Sequence, residues 1–182
     1  MSSHEISVLS SVSNISIRSD LELDCAYYDE TSYINSFSNN ENVTIISLNI
    51  QSVQAKFLEL NNLIDKLQDA KASPDFFVLQ ETFSKDFLHL NIKGFKPVFN
   101  ARPPTARGGG TAIYCSDLYN IKHISNQHFF ITGILEATVI IAEVPGKSKI
   151  MLISCYRPNT HHELNNSQQI DVFLERFKPE KM

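Results

Sequence analysis

Three short stretches of the sequence each join an apolar, strand-like run to an abrupt polar end. They are Ser47–Ser52, Val78–Thr82 and Ser154–Asn159. Their polar ends supply carboxylate, amide, phenol and guanidinium groups. A carboxylate such as that of Glu81 suits Mg²⁺, which takes few protein carboxylates and fills its other positions with waters and substrate phosphates. The three stretches therefore predict a site that holds a metal and a phosphate.

Each of these side chains also has an ordinary structural explanation. An isolated Glu81 suits a solvent-facing strand end, and Asn49 suits a turn as well as it suits orienting a carboxylate or a water. Tyr156 is a common strand residue. Arg157 needs no ligand if it is exposed, although its guanidinium could clamp a phosphate. Asn159 follows a proline and fits a turn, so residue type alone does not decide between the two interpretations.

The first half of the chain predicts a βαβ unit. Val43–Ile50 reads as a strand, apolar residues at helical spacing follow over residues 57–67, and Phe76–Leu79 reads as a second strand. Two strands joined by one helix run parallel through a right-handed crossover. Asn49 and Glu81 each lie at the C-terminal end of a strand, so we expect both at one rim of the sheet.

The second half of the chain predicts antiparallel β-structure and a closing helix. A compact turn at residues 145–148 lies between two strand-like runs and predicts a hairpin. Ser167 is a suitable N-cap for a helix that ends before Pro179. The strands are predicted at Gly109–Cys115, Tyr119–Ile124, Leu135–Val144 and Lys149–Tyr156.

Composition divides the chain near residue 42. Eleven of the first 42 residues are serine, and seven acids face the single basic Arg18 there, a balance of −6; the rest of the chain holds 15 Lys and Arg against 13 acids, or +2. Such a leader buries little apolar surface, so we predict that residues 1–42 are mostly disordered, with a tyrosine and phenylalanine cluster at residues 27–37 able to dock locally. Residues 43–182 form the predicted folded domain.

Several classes are disfavoured by composition. No apolar run approaches membrane-spanning length and no secretory signal pattern opens the chain, so we expect an intracellular protein, nuclear or cytoplasmic, that is neither secreted nor embedded in a membrane. Three widely spaced cysteines fit a reducing compartment.

No acid lies between Asp86 and Asp117, where Lys93, Lys96 and two arginines fall. This local basic surface could attract a polyanion, although ordinary solvated charge explains it equally well.

Four motifs in this order resemble the endonuclease/exonuclease/phosphatase superfamily. More narrowly, they are similar to the apurinic-type endonuclease domain of non-LTR (LINE-type) retrotransposons, over roughly residues 43–178. Arg107-Gly-Gly-Gly110 lacks the spacing of a nucleotide-binding fingerprint and fits a loop that approaches a ligand. The motifs are Asn49 in Ser-Leu-Asn-Ile, Glu81 in Leu-Gln-Glu-Thr, Arg107 to Tyr114, and Cys-Tyr-Arg-Pro-Asn159.

The resemblance implies an α+β fold, a partial DNase-I-like β-sandwich of two mixed sheets flanked by helices. It also implies Mg²⁺-dependent (or Mn²⁺-dependent) hydrolysis of DNA phosphodiester bonds, as in target-site nicking by an element that also encodes a reverse transcriptase domain. Gln51 stands where many relatives carry Asp or Asn, which leaves that contact open. By resemblance, Glu81 is the metal ligand, Asn49 and Tyr156 are catalytic, and Arg107, Arg157 and Asn159 bind the nucleic acid.

The sequence departs from the family in one large respect. Relatives continue with Gly-Asp-x-Asn and Ser-Asp-His segments, which are not found here, and His161 and His162 do not replace them. We therefore expect the N-terminal part of a truncated endonuclease domain, inactive alone. Two alternatives stay open. One is a non-catalytic retroelement remnant with weak DNA binding, and the other is a phosphoesterase of the same superfamily with another substrate.

Overall fold

A computed structural model describes eight segments of the chain, residues 6–8, 27–39, 42–84, 89–99, 108–123, 129–131, 135–143 and 149–157. In these segments no helix is long and apolar enough to cross a membrane. The elements in chain order are β1 (Ile6–Val8), β2 (Tyr27–Tyr28), α1 (Glu30–Phe37), β3 (Ile45–Asn49), α2 (Phe57–Asp69), β4 (Phe76–Gln80), β5 (Phe95–Phe99), β6 (Thr111–Ser116), β7 (Asn120–His123), β8 (Phe129–Ile131), β9 (Leu135–Glu143) and β10 (Lys149–Tyr156).

The first sheet contains the predicted βαβ unit. β3 and β4 pair in parallel, with Ile45 opposite Phe76 and Asn49 opposite Gln80, which confirms the predicted direction of the two strands. β6 pairs antiparallel with β4 on its other side, so the sheet is mixed. The strand order is β2-β1-β3-β4-β6-β5. β4 is therefore a central strand whose two ends open onto opposite rims of the sheet.

The second sheet is antiparallel throughout its described part. β9 pairs with β10 along its length, from Lys149 opposite Glu143 to Tyr156 opposite Glu136, which confirms the predicted hairpin partners. β7 and β8 pair antiparallel with β9 on its other side. The predicted turn at residues 145–148 and the predicted closing helix lie outside the described residues.

Strand alternation divides the buried residues of β4 between two layers. Phe77 and Leu79 belong to the cluster that α2 covers, whereas Phe76 and Val78 belong to the cluster between the two sheets. Successive strand residues point to opposite faces, so a central strand that is apolar on both faces forms a three-layer packing of helix, sheet and sheet. The inter-sheet cluster also contains Val98, Ile113, Cys115, Ile140, Ala142 and Leu152.

Part of the segment that we predicted to be disordered is ordered. Asp29 and Ser32 form a capping box at the start of α1, and Tyr33 on that helix is fully buried, with its ring stacked on Phe37 at 4.7 Å. Burial raises the pKa of Tyr33 to about 12. Residues 27–39 thus contain the aromatic cluster that was predicted to dock locally, on a helix that the sequence did not indicate. The aromatic side chains bury enough apolar surface to order this short segment, which a serine-rich composition conceals.

Four described strands were not predicted, namely β1 and β2 of the leader, and β5 and β8 of the domain. β5 contains Pro97, which cannot donate a ladder hydrogen bond and so weakened the strand signal. The structure accommodates it because β5 is the edge of the first sheet among the described strands, of which only β6 pairs with it. β8 is three residues long, too short to show a clear period.

Candidate active site

Asn49 and Glu81 lie at one rim of the first sheet. Asn49 is the last residue of β3 and is paired in register with Gln80, the last residue of β4, so Glu81 follows directly after Asn49's partner. The amide of Ile50 donates to the carbonyl of Gln80 at 3.0 Å and extends the pairing past the strand end. The Asn49 side chain is exposed and that of Glu81 is half-buried. Both groups are thus open to a ligand at this rim.

The backbone at this rim is left-handed at four non-glycine residues. The φ angles are +47° at Gln51, +85° at Ser52, +53° at Glu81 and +52° at Phe83. Such conformations cost of order 1–3 kcal/mol each for residues with a Cβ, and they concentrate at functional sites. Four of them within two adjoining loops mark this rim as the place where the fold departs most from relaxed geometry.

Hydrogen bonds between three loops hold these strained residues in place. The amides of Ser52 and Val53 donate to the carbonyls of Glu81 and Thr82 at 2.8 and 2.9 Å. The amides of Thr82 and Phe83 in turn donate to the carbonyls of Gly110 and Gly109 at 3.2 and 2.9 Å. The loop that carries Glu81 is therefore fixed between its two neighbours, so its carboxylate is presented from a rigid backbone.

Gly109 brings the second sheet to the same rim. A Cβ placed on Gly109 would lie 2.6 Å from Oε1 of Glu136 and 2.7 Å from Cε1 of Tyr156. Both distances are far inside van der Waals contact, and the φ of Gly109 is +69°, so only glycine fits. The carbonyl of the same glycine accepts from Phe83, two residues after Glu81. One glycine thus lies between the Glu81 loop and the Tyr156 ring.

Glu136 is a carboxylate of this rim that sequence reasoning missed. It lies on β9 directly opposite Tyr156 and is 8% exposed. Charged side chains are seldom this buried without a partner or a role. A signal was present, because Glu136 is a single acid near the start of the otherwise apolar run of β9, but we read that run only as a strand.

Buried polar side chains close the gap between the two sheets beneath this rim. Ser154 donates to the carbonyl of Leu79 at 2.9 Å, and the Gln80 amide lies 3.5 Å from the Ser154 hydroxyl. The hydroxyls of Thr111 and Thr138 are 2.9 Å apart. These groups satisfy one another, so they support the rim and are not themselves available to a ligand.

The other predicted site residues are placed unevenly. Arg157 is exposed and follows Tyr156 directly after β10, and Gln51 is exposed in the loop after Asn49. Arg107 and Asn159 lie outside the described residues. The structure therefore brings Asn49, Glu81 and Tyr156 to one rim with Arg157 beside it.

The number of acidic side chains at the rim bears on which metal ion could bind there. Within the described segments, no group of three or more His, Cys, Asp or Glu side chains is arranged to hold a metal. Magnesium does not need such a group, because it binds through one or two carboxylates with waters and substrate phosphates. The hydroxyl of Thr82, the residue after Glu81, is buried and has no hydrogen-bond partner among the described residues. An unsatisfied buried hydroxyl costs about 1–3 kcal/mol, a further sign that this loop is not optimised for stability alone.

Comparisons with known proteins define the fold. No protein-family profile and no curated protein matches the sequence. TDP2 from Caenorhabditis elegans is similar over 74% of this chain and 41% of its own, with 18% identity and a TM-score of 0.51. The AP endonuclease LMAP from Leishmania major is similar over 79% of this chain and 47% of its own, with 16% identity and a TM-score of 0.52.

These likenesses confirm the fold that the sequence predicted. The chain has a DNase-I-like fold, with two sheets and few helices in its described part. The chain spans less than half the length of either solved structure. At 16–18% identity the likeness concerns the fold, and fold alone does not choose a substrate.

Proposed function

We propose that this chain forms part of a metal-dependent endonuclease domain that hydrolyses DNA phosphodiester bonds. The observation that carries the proposal is the Glu81 carboxylate. It is held by a strained, interlocked loop at the rim that also carries Tyr156 and exposed Asn49, and none of the described residues forms a hydrogen bond or an ion pair with it. The order of motifs supports a nicking endonuclease of the non-LTR retrotransposon type, encoded with a reverse transcriptase domain.

The donor set fits Mg²⁺ or Mn²⁺. Glu81 would be the protein carboxylate, and the Asn49 amide would support it through a coordinated water or directly. A bound ion of this kind polarises a phosphate and stabilises the charge that develops on the leaving oxygen. A rigid loop is suited to this role, because a ligand that need not reorganise loses less binding energy.

The remaining side chains would position the phosphate. The Tyr156 phenol, packed over Gly109, would donate a hydrogen bond to a non-bridging phosphate oxygen. Buried Glu136 beside it would fix the ring in its position. Arg157 would contact a neighbouring phosphate from the exposed end of β10, and Arg107 and Asn159 would extend the contact with DNA. Exact orientation matters here, because misplacement by about 1 Å can cost roughly 100-fold in rate.

Metal binding provides the most direct test. Titrate the chain with Mn²⁺ in the presence of a short DNA duplex and follow water proton relaxation. Glu81→Gln is expected to weaken Mn²⁺ binding about tenfold or more, because it removes the charged ligand while keeping the shape. Glu59→Gln, an exposed acid on α2, is the matched control and is expected to change nothing. Equal Mn²⁺ affinity for Glu81→Gln and the unaltered chain would contradict the proposal.

A plasmid assay separates the competing functions. Any nicking of supercoiled DNA must require the metal and must be lost in Glu81→Gln. We expect the chain by itself to nick DNA poorly, since a positioned base typically supplies about 10²–10⁴-fold in rate. A non-catalytic remnant would bind DNA in a way that neither the metal nor Glu81→Gln changes. A phosphoesterase with another substrate would bind the metal through Glu81 and would not bind DNA.

A further inference from the structure

Phe83 is an exposed aromatic side chain at the candidate site. Among the described residues, three large hydrophobic side chains are exposed, namely Leu58 at 73%, Phe83 at 44% and Leu118 at 79%. Phe83 is the only aromatic of the three and the only one at the Glu81 rim. Exposed apolar side chains are ordinary on a protein surface, so the position and the backbone of Phe83 carry the inference.

The backbone presents this ring rigidly. Phe83 has a φ of +52°, a conformation that is an outlier for a bulky residue. Its amide donates to the Gly109 carbonyl at 2.9 Å, and neighbouring Thr82 is 1% exposed and bonded to Gly110. A Cβ on Gly108 would lie 4.0 Å from Cε1 of Phe83, so the ring edge lies beside an exposed glycine without crowding it.

We infer that Phe83 is a stacking platform for a nucleobase of the DNA that occupies this site. The inference rests on the proposed function and names a feature of its substrate, an unpaired base next to the bound phosphate. Phe83 follows Glu81 by two residues, so their Cα atoms are at most about 7 Å apart. A base on the ring would thus belong to a nucleotide close to the phosphate at Glu81. Stacking on an aromatic ring tolerates any base, because every base has a π-face.

The absence of tryptophan from this chain makes the contact measurable. The sequence contains no Trp, so Phe83→Trp introduces a single fluorescent indole at the proposed platform. Leu118→Trp places an indole at a more exposed position, on the turn after β6, and is the control for non-specific contact with DNA. Both variants are titrated at low salt, in EDTA, with a single-stranded oligodeoxythymidine and with an abasic oligonucleotide of the same length and charge.

The expected result is base-dependent quenching at one position only. The thymidine oligonucleotide should quench the indole of Phe83→Trp, the abasic oligonucleotide should not, and Leu118→Trp should respond to neither. Affinity measured by fluorescence anisotropy of labelled DNA supplies the second readout. Phe83→Ala should bind the thymidine oligonucleotide roughly tenfold more weakly and the abasic one unchanged. Phe83→Tyr should retain binding, and Leu118→Ala should behave as the unaltered chain.

The possible failures are distinguishable. If the chain binds neither oligonucleotide by anisotropy, the stacking platform falls, and the Mn²⁺ titration with the DNA duplex decides separately on the proposed function. If it binds both equally, without quenching of Phe83→Trp, only the stacking platform falls. If the indole of Phe83→Trp is already shielded from acrylamide before DNA is added and DNA does not change this, a protein contact covers the position. That result also overturns the platform.

Discussion

The two ends of strand β4 each carry a carboxylate. One carboxylate is hydrogen-bonded to its neighbours, and the other has no partner among the described residues. Asp75 precedes the strand, and its oxygens accept from the amide of Thr44 at 2.7 Å and from the hydroxyl of Tyr119 at 2.5 Å. Glu81 follows the strand and has no such partner among the described residues. We refer to these as the Asp75 end and the Glu81 rim.

The backbone shows the same contrast. At the Asp75 end, the Asp75 amide donates to the carbonyl of Thr44, before β3, and the amide of Ser116, the last residue of β6, donates to the carbonyl of Asp75, both at 2.9 Å. Burial and then the bond to Asp75 raise the pKa of Tyr119 well above its usual range. At the Glu81 rim, hydrogen bonds hold residues in left-handed conformations instead. Hydrogen bonds at the Asp75 end satisfy the carboxylate, whereas hydrogen bonds at the Glu81 rim hold a strained backbone and leave the carboxylate without a partner among the described residues.

The largest expected effect is the loss of stability on removing Asp75. Asp75→Ala leaves the Thr44 amide and the Tyr119 hydroxyl without their acceptor, and hydrogen bonds to charged groups contribute about 1.5–3 kcal/mol each. We expect a loss of about 3 kcal/mol in urea unfolding followed by circular dichroism. Glu81→Gln should stay within about 0.5 kcal/mol of the unaltered chain. Similar losses for the two variants would remove the contrast between the two ends.

The next effect concerns two adjacent glycines at the Glu81 rim. Gly108→Ala and Gly109→Ala both place a Cβ at positive φ, but only the second brings it within 3 Å of Glu136 and Tyr156. Overpacking typically costs about 1–3 kcal/mol, so Gly109→Ala should destabilise the fold by about 2 kcal/mol more than Gly108→Ala. The same urea unfolding experiment measures both. Equal losses would show that the Tyr156 ring is not packed against Gly109.

Alkaline pH should weaken the inter-sheet core near the Asp75 end. Burial raises the pKa of the Cys115 thiol from 9.0 to about 12, so the folded state keeps a proton that the unfolded chain releases. The contribution of the Cys115 thiol to the free energy of unfolding is complete below pH 9. It is lost as pH rises from about 9 towards 12, at about 1.4 kcal/mol per pH unit. Cys115→Ala should flatten the slope of unfolding free energy between pH 9 and 10. An unchanged slope in Cys115→Ala would show that the Cys115 thiol does not cause the loss of stability at alkaline pH.

The smallest effect is a gain in stability. Glu81→Gly removes the Cβ from a residue in the left-handed conformation. The loss of this backbone strain should raise the free energy of unfolding by about 1 kcal/mol. Melting followed by circular dichroism should show this stabilisation together with the loss of Mn²⁺ binding. Asn39→Gly, at a φ of +59°, is the control and should gain less, because asparagine tolerates this conformation. A destabilised Glu81→Gly would mean that the side chain supports the fold.

The parts of the site that could be predicted from sequence are those fixed by chain direction. A strand, a helix and a second strand fix which strand ends share a rim, so Asn49 and Glu81 could be placed together from spacing alone. The pairing of β9 with β10 followed from a short turn between two apolar runs. Local patterns of this kind carry information because neighbouring elements in the chain usually pack together.

The parts that could not be predicted depend on contacts between distant segments. Gly109 is required because Glu136 and Tyr156 of the second sheet press on it, and no local pattern contains that contact. The exposure of Phe83 is set by the loops around it, whereas an apolar run preceding it suggests burial. The aromatic cluster at residues 27–37 was predicted to dock locally, but the helix α1 that carries buried Tyr33 was not predicted, because serine and acids dominate its neighbourhood.

The two described strands of the leader, β1 and β2, also change what the first sheet offers to other molecules. β1 pairs with β3, with Ser7 opposite Ser47, and β2 pairs with β1, so the backbone of β3 is covered on that side. A chain shortened to residues 43–182 would present β3 as an open template for strand addition by a second copy, and such edges promote aggregation. At the opposite edge, Pro97 in β5 already hinders strand addition. Strand addition to the first sheet of the shortened chain would therefore proceed from β3, in one direction along that sheet.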